Sequence, residues 1–462
     1  MKLRREFAAV AAIAMFASMT PVSPASAASI GGGGASFLAN MMDICAALYN
    51  RNTQYNPPAS GSSTPGDTVT YASVGSSTGK SGFANGTYKF GGSESAYSSG
   101  TAPSTLVYVP LVGGPIAIGY RVDNISPANA QVRLTGELVA KIFAGQITNW
   151  NDPAIAAVNK ATSVKKKLTS TVAGVTASVA KVGTKVNFTV KMNAAARKKF
   201  AKSKVTITRT ALGGSPKIVM SSAPKASLTR SIAYAKNTVY TVKAGKTTVG
   251  VLAVEQVKDG VTITFPSLPI RVVHRSDGSG TTNNFANYLN KSFPSIWTKV
   301  TSDTFATAFP GTVPTDGSFQ SARGNEGLAS YVRDNNGAIT YAELSFLEER
   351  SVKAAAVMNP GKKFVAPSPV SSAIWFEAAE VGAEGLVTQN FANTAADAYP
   401  INAISYGLAS KTTSADNTSV KSYFSFFLNQ CAPKNAAGAG YTALQGAILT
   451  KALAQVAKIS AG

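Results

Sequence analysis

The stretch Val272-Val-His-Arg-Ser-Asp-Gly-Ser-Gly-Thr-Thr282 decides how this chain is read. An apolar pair feeds a polar, glycine-bearing loop, after which Phe285, Tyr288 and Leu289 recur at helical spacing. The order is strand, loop, helix. A helix start carries backbone N–H groups without intrahelical partners and the positive end of the peptide dipoles, which together suit an anion. Arg275 adds a guanidinium fork, Ser279 and Thr281 add hydroxyls, and Gly278 and Gly280 allow close backbone approach.

Working outward, Gly31-Gly-Gly-Gly-Ala-Ser36-Phe37 reads as a second glycine loop opening a helix, with Phe37, Met41, Ile44 and Leu48 on one face. Gly75-Ser76-Ser-Thr-Gly79 follows a strand over Val69–Val74 and makes a third. Leu106–Val122 is a β-rich run broken by Gly113-Gly114, and Leu134–Phe143 reads as a helix stopped by Gly145. This alternation predicts an α/β sheet. One such loop is an ordinary capped turn; three in one chain, one of them beside an arginine, favour anion binding. Gly75 to Ser81 looks like a nucleotide P-loop, but that motif needs glycine where Val74 stands. His274, near Ser279, invites a hydrolase reading, yet no acid–histidine–serine order accompanies it.

The net charge of +22 belongs to one segment. Between Lys160 and Ser267, 20 Lys and Arg face only Glu255 and Asp259, so 20 − 2 gives +18 there. In this segment Val, Thr and Lys alternate. Val186–Val190, Val205–Thr208, Val239–Val242 and Val261–Phe265 read as half-buried strands, with Asp259-Gly260 as a hairpin turn. An all-β, sandwich-like domain over 160–267 is therefore predicted, inserted between α/β flanks. Asn52–Asp67, rich in Pro, Gly and Ser, reads as a surface loop. At the start, a basic Met1–Arg5, an apolar Phe7–Met19 and Ala25-Ser-Ala27 predict a secretory signal over 1–27, cut after Ala27. The mature protein is then expected to be exported, periplasmic or envelope-associated. No cysteine follows closely enough to take a lipid, so a lipid anchor is not expected.

Gly-Gly-Ala-Ser36-Phe37, Val74-Gly-Ser-Ser77, Phe90-Gly-Gly-Ser-Glu94 and the His274–Thr281 stretch occur in the order found in the phosphate-specific substrate-binding proteins of ABC transporters. Ile142–Asp152, Gly324-Asn-Glu-Gly-Leu328, Gly337–Tyr341 and Tyr399-Pro-Ile401 are also similar to that family. The resemblance implies a two-lobe type II periplasmic-binding-protein fold. Lobe 1 would be 29–112 with 365–462, and lobe 2 would be 113–159 with 268–364, carrying the insert. It implies phosphate contacts from Ser36, Phe37, Ser76, Glu94, Arg275, Ser279, Gly280 and Thr281, with Asp277 orienting Arg275. Where the family has Asp, this chain has Glu94, which keeps a carboxylate to accept the proton of hydrogen phosphate but adds a methylene. Cys45 and Cys431 both fall in lobe 1 on that fold, which implies a disulfide.

The expected function is capture of inorganic phosphate outside the cytoplasm and delivery to an ABC permease, by a monomer without catalytic group, cofactor or metal. The alternative is an envelope polymer-binding protein or adhesin built on the same scaffold. Residues 160–267 are expected to meet anionic envelope polymers or lipid head groups. Nucleic acid is not expected, because no strand face is rich in aromatic residues.

Overall fold

The computed structural model describes residues 28–58, 66–211, 216–259 and 261–462. The segment read as an export signal, 1–27, and part of the Pro/Gly/Ser loop lie outside the described residues. Eight strands form the spine: β1 (Ser29–Gly34), β2 (Thr68–Ser73), β3 (Phe90–Ser93), β4 (Leu106–Tyr120), β5 (Arg271–Arg275), β6 (Phe319–Ala322), β7 (Ala338–Glu343) and β8 (Asn402–Ser410). They are ordered β6-β5-β7-β4-β8-β3-β1-β2. β1 lies parallel to β2 and β3, and β5 lies parallel to β6 and β7.

The two parallel groups are the cores of two lobes, and β4 joins them. Its residues 106–115 run antiparallel to β8, and its residues 116–120 run antiparallel to β7. The change of partner falls at Pro115, whose nitrogen has no hydrogen to give to a ladder. The expected break at Gly113-Gly114 is absent, and β4 is continuous. A Cβ on Gly113 would lie 2.5 Å from the Phe376 ring, so this glycine admits a neighbour rather than ending a strand.

The same reason moves the first glycine run. Gly31 to Gly34 are part of β1 and not a loop. A Cβ on Gly32 would fall 2.1 Å from the Phe90 ring, and one on Gly33 would fall 2.4 Å from Tyr88. The rings fill the space that side chains would take. A 3-10 turn at Ser36–Leu38 then leads into α1 (Ala39–Tyr49). Its buried face is Met41, Met42, Cys45 and Tyr49, whereas Leu48 is 45% exposed, so the helix is rotated from the predicted face. Cys45 is bonded to Cys431 with their Cα atoms 5.6 Å apart, tying α1 to the C-terminal region.

The other strands feed helices in the same way: β2 leads to α2 (Ser76–Ala84), β5 to α3 (Gly280–Ser292) and β6 to α4 (Gly324–Asp334). Strand ends followed by helix starts are where open α/β sheets bind ligands. The helix predicted over Leu134–Phe143 is shorter, Gly136–Phe143, because Thr135 caps it by accepting from the Leu138 amide at 3.1 Å. Trp150, Trp297 and Trp375 are all fully buried.

The insert has its own core, in which Phe188 meets Tyr240 edge-on at 4.9 Å. Two four-stranded antiparallel sheets enclose it. A short helix, Ala194–Lys199, is its exception to an all-β description. Val261–Phe265 forms no strand. Ile263 and Phe265 instead pack on the main core, and Phe265 stacks on Trp150 at 6.2 Å. Alternation there reflects burial against the lobe. Asp259 likewise belongs to Val257–Asp259, which pairs with Thr162–Val164 where the chain enters, rather than to a hairpin; Gly260 lies outside the described residues.

Candidate anion site between the lobes

Four helix starts meet where the two lobes touch. The amide of Gly280, first residue of α3, donates to Ser76 Oγ, first residue of α2, at 2.9 Å. The amide of Asn325, at the start of α4, donates to Ser36 Oγ at 3.1 Å. Its side chain also reaches Ser36 Oγ at 2.9 Å and Thr281 Oγ1 at 3.5 Å. Ser36 and Ser76 come from the lobe of β1–β3, and the others from the lobe of β5–β7. The lobes are closed on each other. A Cβ on Gly280 would fall 2.8 Å from Glu94 Cβ, so closure needs glycine there. Gly75, at φ +89°, makes the sharp turn that aims α2 at the same point.

Ser36, Ser76, Glu94, Arg275, Ser279 and Thr281 are all buried. Ser279 caps α3 by accepting from the Thr282 amide at 3.0 Å, which leaves its hydroxyl hydrogen to donate elsewhere. The Phe37 ring packs edge-on against Tyr441, whose hydroxyl donates to the Phe37 carbonyl at 2.6 Å. Helix starts, hydroxyls and one guanidinium in a dry crevice are a setting for a dehydrated anion.

Arg275 donates from Nε to Asp277 Oδ1 at 2.6 Å and from Nη2 to Oδ2. That fork therefore faces Asp277, and an anion would meet the guanidinium on its Nη1 side. Asp277 also accepts from the Gly324 amide at 3.1 Å. Burial works to raise its pKa, but Arg275 and the Gly324 amide outweigh this and hold the carboxyl below its usual range. Glu94 goes the other way. Burial pushes it up to about 7 against hydrogen bonding from Ser405, the charge of Arg275 and hydrogen bonding from Ser76. Ser405 Oγ donates to one of its oxygens at 3.0 Å and Ser76 Oγ to the other at 3.2 Å. Near neutral pH this group exchanges readily between acid and carboxylate.

The residues from the two sequence lookalikes serve other ends. Lys80 donates to Ser95 Oγ at 2.9 Å and to the Ala96 carbonyl at 3.0 Å, and pairs with Asp303 at 2.9 Å. His274 stacks on Phe305 at 4.2 Å, with Nδ1 facing the Arg275 carbonyl.

Asp303 had no signal in the sequence. It follows α3 in one lobe, yet Oδ2 accepts from Ser77 Oγ at 2.9 Å and Ser95 Oγ at 3.1 Å in the other. Oδ1 accepts from Asn283 at 2.8 Å, and its carbonyl accepts from the Ser279 amide at 2.9 Å. Burial would raise this carboxyl, but Lys80 and the hydroxyls hold it below its usual range, so it stays charged. It is a strut between the two loops. Asn284 adds a second crossing, donating to the Glu94 carbonyl at 2.7 Å. Asn325 and Ser405 were also missed as site residues; Asn325 lay in a motif quoted above, and Ser405 in a plain strand.

Two lobes joined through a shared sheet, closed over strand ends and helix starts, define a binding protein of the periplasmic type. The PBP superfamily domain model matches residues 21–263 and 161–430, and the chain belongs to that superfamily. The phosphate-binding protein PstS of Xylella fastidiosa strain 9a5c is 26% identical over 409 residues, covering 86% of this chain and 76% of its own. That of Haemophilus influenzae is 25% identical over 406 residues, covering 86% and 83%. Among solved structures, a high affinity periplasmic phosphate-binding protein (PfluDING) bound with phosphate aligns over 92% of this chain and 93% of its own. Its TM-score is 0.53 at 18% identity, a likeness of fold. Among the described residues, no helix is long and apolar enough to cross a membrane.

Proposed function

We propose that this chain captures inorganic phosphate between its lobes, outside the cytoplasm, and delivers it to the permease of an ABC transporter. The observation that carries the reading is the meeting of Gly280, Ser76, Ser36 and Thr281 with Arg275 and Glu94 in one buried crevice. Phosphate would receive N–H groups from Phe37 and Gly280, hydroxyls from Ser36, Ser76, Ser279 and Thr281, and the Nη1 side of Arg275. Glu94 in its carboxylate form accepts the remaining phosphate proton. Sulfate offers no such proton and leaves two acceptors facing each other, the kind of mismatch that costs roughly 10⁴-fold. Asp303 holds the lobes shut without touching the ligand. The insert, 160–267, serves as a surface for anionic polymers or lipid head groups. The names of the curated relatives point the same way.

Equilibrium dialysis of the mature protein with radiolabelled phosphate, with sulfate as competitor, tests the reading. Saturable binding that equimolar sulfate leaves intact is expected. No saturable binding, or equal displacement by sulfate, overturns it.

A further inference from the structure

The insert carries cations at both ends of its sandwich, but its two acidic residues, Glu255 and Asp259, lie where the chain leaves it, so the far end holds cations alone. The strands Val175–Val182 and Lys185–Met192 pair so that Val175 meets Met192 at one end and Val182 meets Lys185 at the other. Ser227 pairs with Lys191, and Ala244 with both Val205 and Thr247, which puts all these strand ends on the Met192 side. The segments that turn the chain there carry Arg197, Lys198, Lys199, Lys202, Lys204, Lys225 and Lys246, and each is exposed. The chain enters and leaves by the other end: Thr162–Val164 pairs with Val257–Asp259, and Lys167 bridges to Ala253. The end without a carboxylate is therefore the tip, separated from the lobe by strands of eight residues, about 25 Å. Glu255 sits at the stalk end, held by Tyr234 and the Asn237 amide. Among the described residues, the ion pairs found elsewhere in the molecule involve none of the seven tip cations.

Resting on the surface role of the insert given above, we propose that this tip binds a linear, phosphate-bearing polyanion without bases, holding the phosphate-binding lobes beside it. The seven charges come from three separate segments. Such an array suits charges repeated along a chain better than one small ion. Lysine dominates, giving mobile point charges that do not select a bidentate geometry. The exposed large apolar residues at the tip amount to Val172 alone, too little to anchor in a bilayer. Tyr240 is buried in the sandwich core and so offers no stacking surface for bases.

The test uses the full mature chain and three probes: long-chain polyphosphate, vesicles containing about one third anionic lipid, and duplex DNA. One variant carries Arg197→Glu, Lys199→Glu and Lys246→Glu at the tip. A control carries Lys181→Glu, Lys185→Glu and Lys236→Glu near the stalk end, equal in charge. The expected results are polyphosphate binding by the parent, at least 10-fold weaker binding by the tip variant, and less than 3-fold change in the control. Affinity is also expected to fall by about 10²-fold or more between 50 and 200 mM salt, the behaviour of several released counterions. Orthophosphate binding in the cleft is expected to be equal in all three proteins, which separates failure at the tip from failure of the phosphate reading. Equal losses in tip and control variants, no polyphosphate binding by the parent, or tighter binding to vesicles or DNA than to polyphosphate overturns the proposal.

Discussion

The cleft and the tip of the insert both present cations to solutes, and the contrast lies in what surrounds the charge. In the cleft a single guanidinium, Arg275, is 3% exposed and already matched by Asp277. At the tip seven cations are exposed to water with no matching carboxylate among the described residues. A buried pair surrounded by oriented amides and hydroxyls recognises shape and protonation, because any unmatched group there keeps its desolvation cost. Exposed lysines recognise charge density and lose their hold as salt rises. On the proposed reading, one chain carries a selective anion site and an unselective one.

The sharpest way to break this contrast is at Arg275. Arg275→Ala leaves the partly buried Asp277 without its partner and removes the charged donor, a loss of about 3–5 kcal/mol. Phosphate binding by calorimetry is expected to fall by about 10³-fold or more, while polyphosphate binding at the tip stays unchanged. Removing residues 165–256 and joining the paired Val164 and Val257 by a short glycine linker, which leaves Ile263 and Phe265 in the lobe core, is expected to do the reverse, leaving the phosphate Kd within about 2-fold.

Glu94 sharpens the selective side. Its carboxyl titrates near 7, so below that pH the acid form donates a hydrogen bond and accepts sulfate as well as phosphate. The phosphate-over-sulfate ratio in competition binding is expected to rise as pH goes from 5.5 to 8.5. In Glu94→Gln the ratio is expected to be lower at pH 8 by about 10²-fold and flat with pH. A pH-independent ratio in the parent would sink this role.

Asp303 makes the smaller claim that closure and contact are separable. Asp303→Asn weakens charge-assisted bonds to Lys80, Ser77 and Ser95, worth about 1.5–3 kcal/mol together. Stopped-flow release of phosphate is expected to quicken by about 10- to 100-fold with the sulfate ratio unaltered. If the ratio moves with the rate, Asp303 touches the ligand environment and is more than a strut.

Glu343 lies beneath the cleft, buried and raised to about 8, mainly by burial and against bonds from Ser345 and Tyr441. A carboxyl whose folded pKa lies above its unfolded value of 4.5 binds more protons folded than unfolded between the two. Stability is therefore present in full below about 4.5 and lost as pH rises toward 8, by at most about 1.4 kcal/mol per pH unit from this group. Urea unfolding across that window is expected to give a shallower pH slope in Glu343→Gln than in the parent. The least effect of all is expected from salt on the cleft: between 50 and 500 mM, the phosphate Kd should move less than about 3-fold, against the steep fall at the tip.

Much of the fold could be read from the chain, because strands and helices write their periods into sequence. The strand–loop–helix order from Val272 to Leu289, the strand before Gly75 and the change to Val/Thr/Lys alternation at Lys160 were visible, and Ser36, Ser76, Glu94 and Arg275, implied by the resemblance, are all buried. What misled was glycine. A glycine that ends a strand and one that makes room for Phe90 or Phe376 look alike until the ring is placed, so Gly31–Gly34 and Gly113 were misread. Val261–Phe265 was misread for a related cause: alternation reports which side is buried, not which domain buries it.

Composition by itself determined that the insert is basic, and local pattern determined where helices start. Only the tertiary structure decided that Asp303 faces Ser77 and Ser95, residues 226 and 208 positions away, and that Ser405 and Asn325 complete the crevice. Only strand register decided that the insert's two acidic residues sit at its stalk and leave cations alone at the remote end. The physical reason is range. Backbone preference acts over a few residues and leaves a mark in each segment, whereas a hydrogen bond across the cleft depends on closing chain loops hundreds of residues long, and no single segment carries that information.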